Sequence, residues 1–408
     1  MFSSKIRFSV LSAAVTLAAA APFSTAQATN GQLPTCIGTY KCGMGGAGLT
    51  IASDPTAAAI NPALAARMGN SAILSVGAFK ADVQREIKGN GGVVNTAGGK
   101  QTSEADTFAN GSMGVNYGLS DGKALNISLY PGGGGATNWT NPRTAGQVNS
   151  GADSDITWRM FNLQAALAYT LNPSTAIGGG IVLSRATMKT DAPDGNGNLD
   201  SGLNQVKTSN GVGFQFGAVH DINSTWSIAG DVHSKVWHQR FEGLTSVFNS
   251  SVDRPATMAI GFDYKHSPET QFAFDIKRVF NSTVDTISTE PLDEGGFGWN
   301  DTTILMIGAQ HMVSDSFQIR AGYNYGESPI DDEHVFANIL FPAIIEHHFT
   351  AGMNYAVTDT MELGWSGYWT PVARLTDTGT GDNYSVWGVD SKLWHQQYGT
   401  QVSLKYNF

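Results

Sequence analysis

Long apolar runs are missing from this 408-residue sequence once its first residues are set aside. A membrane-spanning helix needs about 20 apolar residues in succession, and no stretch after residue 28 approaches that length. Charged residues are also scarce. They make up 14% of the chain, against about 25% in ordinary soluble domains. The sequence therefore excludes a helical membrane protein and departs from the composition of ordinary soluble domains.

Basic residues are outnumbered, because 24 Lys and Arg stand against 34 Asp and Glu, and the net charge is -10. Binding of nucleic acid needs clustered positive charge, so we expect no nucleic-acid partner. Metal-site spacings are missing too, and loop polarity explains the acidic and histidine-rich stretches 331–334 and 346–348. Residues 364–367 resemble the G-x-S-x-G motif of serine hydrolases but do not complete it. We predict no metal, no cofactor and no enzymatic activity.

The N-terminus has the pattern of an export signal. Two basic residues precede an apolar run over residues 8–21, and small residues at 26 and 28 provide a cleavage site. The alternative is a transmembrane anchor, for which the apolar run is too short. We predict a signal peptide over residues 1–28 and a mature chain that begins at Thr29.

Hydrophobicity alternates with a period of two along much of the remaining chain. In residues 317–325 one face carries Phe, Ile, Ala and Tyr, whereas the other carries Gln, Arg, Gly and Asn. Residues 257–264 and 401–408 repeat this pattern. Apolar faces capped by Trp and Tyr, opposite polar faces, are typical of membrane β-barrels with lipid outside and a polar lumen inside.

Short and long connections alternate between these segments, as periplasmic turns and external loops do in outer-membrane barrels. We therefore predict an all-β fold, a fourteen-stranded antiparallel transmembrane β-barrel over residues 71–408. We expect it to be monomeric in the bacterial outer membrane, in contact with lipid. The predicted strands are 71–81, 107–119, 123–130, 160–171, 175–188, 211–221, 225–236, 256–266, 269–280, 303–313, 316–326, 347–357, 359–369 and 397–408.

Residues 29–70 are rich in Gly and Ala and lack the alternation of a strand. We predict that they form a small N-terminal hatch that plugs the barrel. Cys36 and Cys42 lie near its start, and an exported chain matures in an oxidising compartment, so we predict a disulfide between them. A redox-active thiol pair is the alternative, but the spacing is C-x5-C rather than C-x-x-C.

Two stretches of this segment, residues 48–55 and 59–64, resemble the hatch of outer-membrane transporters for long-chain fatty acids and aromatic hydrocarbons. The residues that carry the motif are Asp54, Pro55, Asn61, Pro62 and Ala63. The resemblance implies passive uptake of hydrophobic compounds. Long-chain fatty acids are the expected substrate, and aromatic or alkane hydrocarbons are the alternative.

The terminal Phe408 resembles the C-terminal signal of bacterial outer-membrane barrels, which implies the barrel-assembly machinery as a partner. The transporter resemblance also implies hatch movement and lateral release at a kink in the third strand. Here the predicted strand 123–130 runs into Pro131 and the glycines 132–135, which interrupt ladder bonding and allow a bend. A loop hinge is the alternative reading. A general porin is the rival function and an adhesin a weaker one, and the hatch argues against both.

The connection 327–346 is unusually apolar for an external loop, and exposed apolar patches often mark binding sites. Our hypothesis is that it forms a capture groove, whereas a self-packed lid or a lipid contact are the alternatives. The residues expected to contact ligand are Phe336, Ile339, Leu340 and Phe341.

A carboxylate ligand would need a base inside the barrel. Alternation assigns Lys123, Lys265, Lys277, Arg320 and Lys405 to the lumen. The acids Asp231, Asp263, Asp275 and Glu362 are expected to share the lumen, and buried charges need partners. Ion pairing is therefore the default role of these bases, and Lys277 and Arg320 are the candidates for ligand contact. If neither is needed, an uncharged hydrocarbon is the better substrate.

Overall fold

The computed structural model describes residues 29–88, 99–139, 154–190, 205–242, 244, 250–291, 296–381, 385–386 and 388–408. The predicted signal peptide, residues 1–28, lies outside the described residues. Among the described residues, no helix has both the length and the apolarity needed to cross a bilayer. The strands form one closed antiparallel barrel around a short N-terminal segment.

The barrel has fourteen strands, as predicted, and three of them are interrupted by a short break. In order from β1 to β14 they are Ser71–Glu86; Lys100–Thr102 with Thr107–Gly118; Lys123–Trp139; Ser154–Asn172; Thr175–Thr190; Lys207–Asp221; Trp226–His233 with Trp237–His238; Ala256–Lys265; Thr270–Phe280; Thr302–Ser314; Phe317–Gly326; His347–Ala356; Met361–Trp369 with Ala373–Thr376; and Lys392–Asn407.

Each strand pairs with its neighbour in sequence, and β14 closes the ring by pairing with β1 along residues 71–86. No water is available in the hydrocarbon core, so backbone groups there must be satisfied within the protein. A closed antiparallel ladder meets this requirement because it leaves no free strand edge. Several strands extend beyond their predicted ends at the long-loop side; β3, for example, continues to Trp139 rather than ending at residue 130.

The expected alternation of faces is present. On β8, Met258 and Ile260 are exposed on the outside, whereas Thr257 and Asp263 are buried towards the lumen. Aromatic residues mark both ends of the outer surface. Trp226 stacks near Tyr264 at the short-turn end, with 4.8 Å between ring centroids, and Phe349 lies 5.8 Å from Trp369 at the long-loop end. Two aromatic girdles that flank an apolar band are the surface expected of a barrel in lipid.

Residues 29–70, the hatch, lie inside the barrel. They contain a two-stranded hairpin (Thr29–Asn30 with Leu33–Pro34), helix α1 (Gly38–Gly43) and two 3-10 helices (Pro55–Ala59 and Pro62–Arg67). Each 3-10 helix begins with Pro at its first position and is capped by the residue before it, Asp54 or Asn61. Such caps satisfy free N–H groups at a helix start. The predicted disulfide between Cys36 and Cys42 is confirmed, with the Cα atoms 5.0 Å apart.

The barrel wall is free of side chains where the hatch approaches it most closely. At Gly178 a Cβ atom would lie 2.5 Å from the carbonyl carbon of Pro62, so only glycine fits this contact. The wall glycines at which a Cβ would come within 3.0 Å of a hatch atom are Gly114, Gly133, Gly178, Gly217, Gly261, Gly308, Gly322, Gly326, Gly352 and Gly364. The hatch therefore packs directly against the backbone of the barrel around most of its circumference.

The described residues of two long loops lie over the other end of the barrel. Residues 281–291 and 296–301 of one loop pack against residues 327–346 of the other through an apolar cluster that includes Trp299, Ile330 and Val335. His334 joins the two loops: its Nδ1 lies 2.6 Å from Asp331 Oδ1 and its Nε2 lies 3.2 Å from Glu290 Oε2. These two carboxylates raise the pKa of His334 to about 9. The imidazolium form therefore holds the loops together at neutral pH.

Substitution of a wall glycine measures how much the packing of the hatch contributes to stability. We expect Gly178→Ala to lower the free energy of unfolding by about 1–3 kcal/mol, because an added methyl group displaces the Pro62 backbone. The control is Gly230→Ala, because its Cβ would project towards lipid and meet only a carbonyl oxygen at 3.7 Å. Urea unfolding of both variants in lipid vesicles provides the comparison. Equal stability of the two would contradict this packing.

The loop contact predicts a dependence on pH. Because the pKa of His334 is raised above its usual value of about 6.5, its stabilisation is fully present below that value and is lost as the pH rises through about 9. Limited proteolysis should therefore cut residues 281–301 and 327–346 faster at pH 10 than at pH 7. His334→Gln should remove the difference between the two pH values. A pH dependence that persists in His334→Gln would assign it to another group.

Candidate functional site

The fully buried side chain of Asn61 connects the second part of the hatch motif to its surroundings. Its Oδ1 accepts a hydrogen bond from Ala63 N (3.1 Å). Its Nδ2 donates to Leu49 O (3.0 Å) and to Ala218 O on β6 (3.3 Å). Asn61 thus joins the second 3-10 helix, an earlier turn of the hatch and the barrel wall. Pro62 and Ala63 follow it against the wall at Gly178.

Asp54 and Asp275 fix the other turns of the hatch. Asp54 Oδ1 accepts from Thr56 N (2.8 Å), ahead of Pro55 in the first 3-10 helix. Asp275, which points into the lumen from β9, accepts from Gly48 N (2.8 Å) and Leu49 N (3.0 Å) through one carboxylate oxygen. A movement of the hatch relative to the wall has to break the bonds of Asp275 to Gly48 and Leu49 and the bond of Asn61 to Ala218.

A narrow apolar cavity, partly open to solvent, lies between the hatch hairpin and the loops. Strands β1–β4 and β14 supply most of its walls, and loop 327–346 covers it. The lining residues are Thr29, Gly31, Gln32, Phe79, Ala81, Val83, Phe108, Gly134, Gly135, Ala136, Trp158, Trp299, Leu340, Phe341, Pro342, Ala343, His395 and Gln397. None of these described residues is Lys, Arg, Asp or Glu.

Aromatic rings give the cavity its shape. Trp158 meets Phe341 edge to face, with 6.1 Å between centroids, and Phe79 stacks on Phe108 at 5.0 Å. Such rings offer both faces and edges to an apolar ligand. The polar side is formed by His395, whose Nδ1 lies 2.8 Å from Pro342 O, and by Gln397, whose Nε2 lies 2.9 Å from His395 Nε2.

The four predicted capture residues divide into two groups. Leu340 and Phe341 line the cavity. Ile339 packs in the loop cluster, and its carbonyl accepts from Trp139 Nε1 at 3.1 Å. Phe336 does not line the cavity; it lies against Gly388, and its backbone N donates to Asp377 Oδ2 at 2.9 Å. Loop 327–346 thus has one end packed against its neighbours and a cavity-lining segment at 340–343.

Neither predicted cation lines the cavity. Arg320 is 4% exposed, and its guanidinium carbon lies 4.2 Å from the ring centroid of Tyr40 in the hatch helix. Arg320 also donates to Gln318 Oε1 (2.9 Å). Lys277 is partly buried on β9 and interacts electrostatically with Asp231 and Asp275. Both bases belong to the packing of the lumen.

The expectation for Lys123 was wrong. Lys123 pairs with Tyr169, which is 42% exposed on the outer surface, and paired residues point to the same side of a sheet. Its neighbours Ala124 and Asn126 are buried on the opposite face. Lys123 therefore lies outside the lumen, near the short-turn end. By contrast, Lys405 reaches the hatch and donates to Ser53 O at 2.9 Å.

The proline–glycine stretch after Tyr130 lies inside β3 rather than in a loop. The register between β3 and β4 shifts between Pro131 and Gly133, so the ladder is irregular there. The hatch hairpin lies against this point, since Gly134 N donates to Gln32 O at 3.1 Å. The irregular part of the wall thus borders the cavity.

Several cavity residues were not identified from the sequence. Trp158 was assigned to a loop, and His395 was assigned to a connection before the last strand, but both lie within strands. A usable signal existed for His395, because it continues the inward alternation of Gln397, Gln401 and Ser403.

The comparisons with known proteins agree with this architecture. The model of a family described as outer membrane protein transport protein (OMPP1/FadL/TodX) matches residues 15–408. A comparison with curated protein sequences finds no significant match. Among solved structures, a FadL homologue of Pseudomonas aeruginosa is similar, with 15% identity and a TM-score of 0.68, over 93% of this chain and 100% of that chain.

Two further solved structures are similar. The toluene transporter TodX of P. putida has 14% identity and a TM-score of 0.67, over 92% of this chain and 99% of that chain. The monoaromatic hydrocarbon channel CymD has 14% identity and a TM-score of 0.64, over 92% and 98%. At these identities the structural likeness establishes the fold. The family match covers nearly the whole chain, and with it we conclude that the protein belongs to the OMPP1/FadL/TodX family of outer-membrane transport proteins.

Proposed function

We propose that this outer-membrane transporter takes up a small, uncharged, ring-containing hydrophobic compound. The observation that carries the proposal is the cavity beneath loop 327–346, which is walled by aromatic rings and has no charged residue among its described lining. A fatty acid carboxylate would lose its hydration there without gaining an opposite charge. Lys277 and Arg320 do not compensate, because neither lines the cavity, and Arg320 packs on Tyr40. Long-chain fatty acids are therefore the second candidate, and aromatic hydrocarbons are the first.

The proposed path has three steps: capture at the loops, occupation of the cavity, and release past the hatch. Loop 327–346 contributes Leu340 and Phe341 to the cavity, so movement of this loop opens it to the outside. The hatch closes the lumen below, and its displacement breaks the bond of Asn61 to the wall and the bond of the wall residue Asp275 to Gly48. The irregular ladder at Pro131 and Gly133 borders the cavity and supports lateral release into the membrane at this point.

The division of the chain is part of the proposal. Export removes residues 1–28, residues 29–70 act as the gating hatch, and residues 71–408 form the channel. Phe408 is the signal read by the barrel-assembly machinery. A monomer suffices, since one barrel contains the cavity, the hatch and the irregular strand. The packed hatch argues against a general porin, because it occupies the space that an open pore would need.

Removal of the Asn61 side chain should loosen the hatch. We expect Asn61→Ala to cost about 0.5–2 kcal/mol of hatch stability, the usual effect of losing a helix cap, and to increase ion conductance in planar bilayers. Asn223→Ala is the matched control, because Asn223 also accepts from the N–H two residues later (2.8 Å) but lies in an exposed turn. Unchanged conductance in Asn61→Ala would argue against hatch gating.

Uptake measurements distinguish the substrate classes. A bacterial host lacking its own outer-membrane fatty acid transporter is given labelled toluene or labelled oleate, with equal surface expression of each variant. We expect saturable toluene uptake by the wild type. Phe341→Ala should weaken apparent affinity about 2- to 10-fold, the effect of losing one edge-to-face ring contact. Phe336→Ala, in the same loop but outside the cavity, should leave uptake unchanged.

The other outcomes are equally informative. Saturable oleate uptake without toluene uptake would make the fatty acid the substrate. Passage of sugars or ions at rates independent of Phe341 would favour a porin.

A further inference from the structure

Three residues that line the apolar cavity carry buried polar atoms that lack a partner within the described part of the chain. Gln32, Trp158 and Gln397 all line it and are 3%, 3% and 4% exposed. Both amide atoms of Gln32, the indole N–H of Trp158 and the Oε1 atom of Gln397 make no hydrogen bond within the described residues. Buried polar groups in proteins are nearly always paired. A purely hydrocarbon ligand would leave all of them unsatisfied.

The hydrogen bonds on the polar side define what Gln397 offers to a ligand. A carbonyl oxygen can only accept, so His395 Nδ1 must carry the proton that reaches Pro342 O (2.8 Å). In the neutral imidazole the other nitrogen, Nε2, then accepts, and it receives the amide N–H of Gln397 (2.9 Å). This chain fixes the orientation of the Gln397 amide. Its Oε1 is left as a buried acceptor without a partner, on a residue that lines the cavity.

The lining residues therefore carry unpaired hydrogen-bonding groups of both kinds and no charge. Gln397 Oε1 is an acceptor, Trp158 Nε1 is a donor, and Gln32 can be either. A carboxylate has no proton to give to Gln397 at neutral pH, and it meets no cation among the described lining residues. A hydroxyl group both donates and accepts. The rings of Phe79, Phe108 and Phe341 meanwhile suit an aromatic body.

We infer that the preferred ligand of this cavity is a neutral aromatic compound with a hydroxyl group, of the phenol class, whose O–H donates to Gln397 Oε1. The inference rests on the proposed function and narrows its substrate class. Trp158 Nε1 and Gln32 are the remaining groups that a polar substituent on the ring can satisfy. A hydrocarbon of the same shape occupies the same space but leaves these atoms unpaired, so the protein discriminates in favour of the hydroxyl.

The test compares two ligands of nearly the same shape, toluene and phenol, bound to the purified full-length protein in lipid nanodiscs. Calorimetry gives the ratio of the dissociation constant for toluene to that for phenol. We expect this ratio to fall about tenfold in Gln397→Met and about tenfold in Trp158→Phe, since the first change removes the amide with its unpaired Oε1 and the second removes the indole N–H. Water hydrates phenol better than toluene, so transfer out of water favours toluene in the wild type and in every variant. The readout is therefore the change in the ratio between variants rather than its absolute value.

The matched control is Trp139→Phe. This change also removes a buried indole N–H, but that of Trp139 donates to Ile339 O (3.1 Å) and lies outside the cavity lining. We expect it to leave the ratio unchanged. Heat-modified mobility in gels verifies that each variant is a folded barrel. The two cavity variants act at separate strands, so the test stands if either one folds.

Failure of the inference is distinct from failure of the proposed function. If both ligands bind, and both weaken in Phe341→Ala, but the ratio is equal in wild type and in the cavity variants, the function stands and the hydroxyl preference is wrong. Tighter binding of benzoate than of phenol would also overturn the preference, because it would reveal a carboxylate site. If neither ligand binds, or Phe341→Ala affects neither, the proposed function itself fails.

Discussion

The closed ladder of backbone hydrogen bonds, completed where β14 pairs with β1, constrains the rest of the molecule. Closure removes free strand edges from the membrane, but fourteen strands enclose a lumen wider than their own side chains fill. The hatch occupies this space, and it can do so because the wall carries glycines such as Gly178 and Gly322 at the closest approaches. Lumen side chains, including Asp275 and Asn116, then bond to the hatch backbone. The apolar cavity is what remains between hatch and loops.

Much of the fold could be predicted from the sequence because lipid imposes a strong pattern on each strand. Strand number and turn positions follow from alternation and from turn-forming residues, and all fourteen are present. The strand ends towards the long loops could not be predicted. There the loops cover the barrel, so inward residues become apolar; Trp158 and Met160 on β4 are buried in a cluster with loop residues. Alternation of polarity disappears at these ends although the strand continues.

The site was predictable in part. The apolar composition of loop 327–346 indicated a ligand contact, but only tertiary packing separates Phe341, at the cavity, from Phe336, against Gly388. Arg320 packs on the ring of Tyr40 in the hatch, which lies so far away in sequence that no local pattern relates the two. The error at Lys123 was avoidable. It shares the alternation of Leu125 and Ile127, and Ile127 is exposed on the outer face.

The glycine wall also limits how chains of this architecture can diverge. A side chain gained at position 178 or 217 would occupy the volume of Pro62 or Asn61, so such a change survives only with a smaller or shifted hatch residue. The two halves of each contact lie more than a hundred positions apart in the sequence. Evolutionary drift in the hatch and in the barrel should therefore be coupled in pairs. Hatches exchanged between distant relatives should fit poorly even when each barrel is intact.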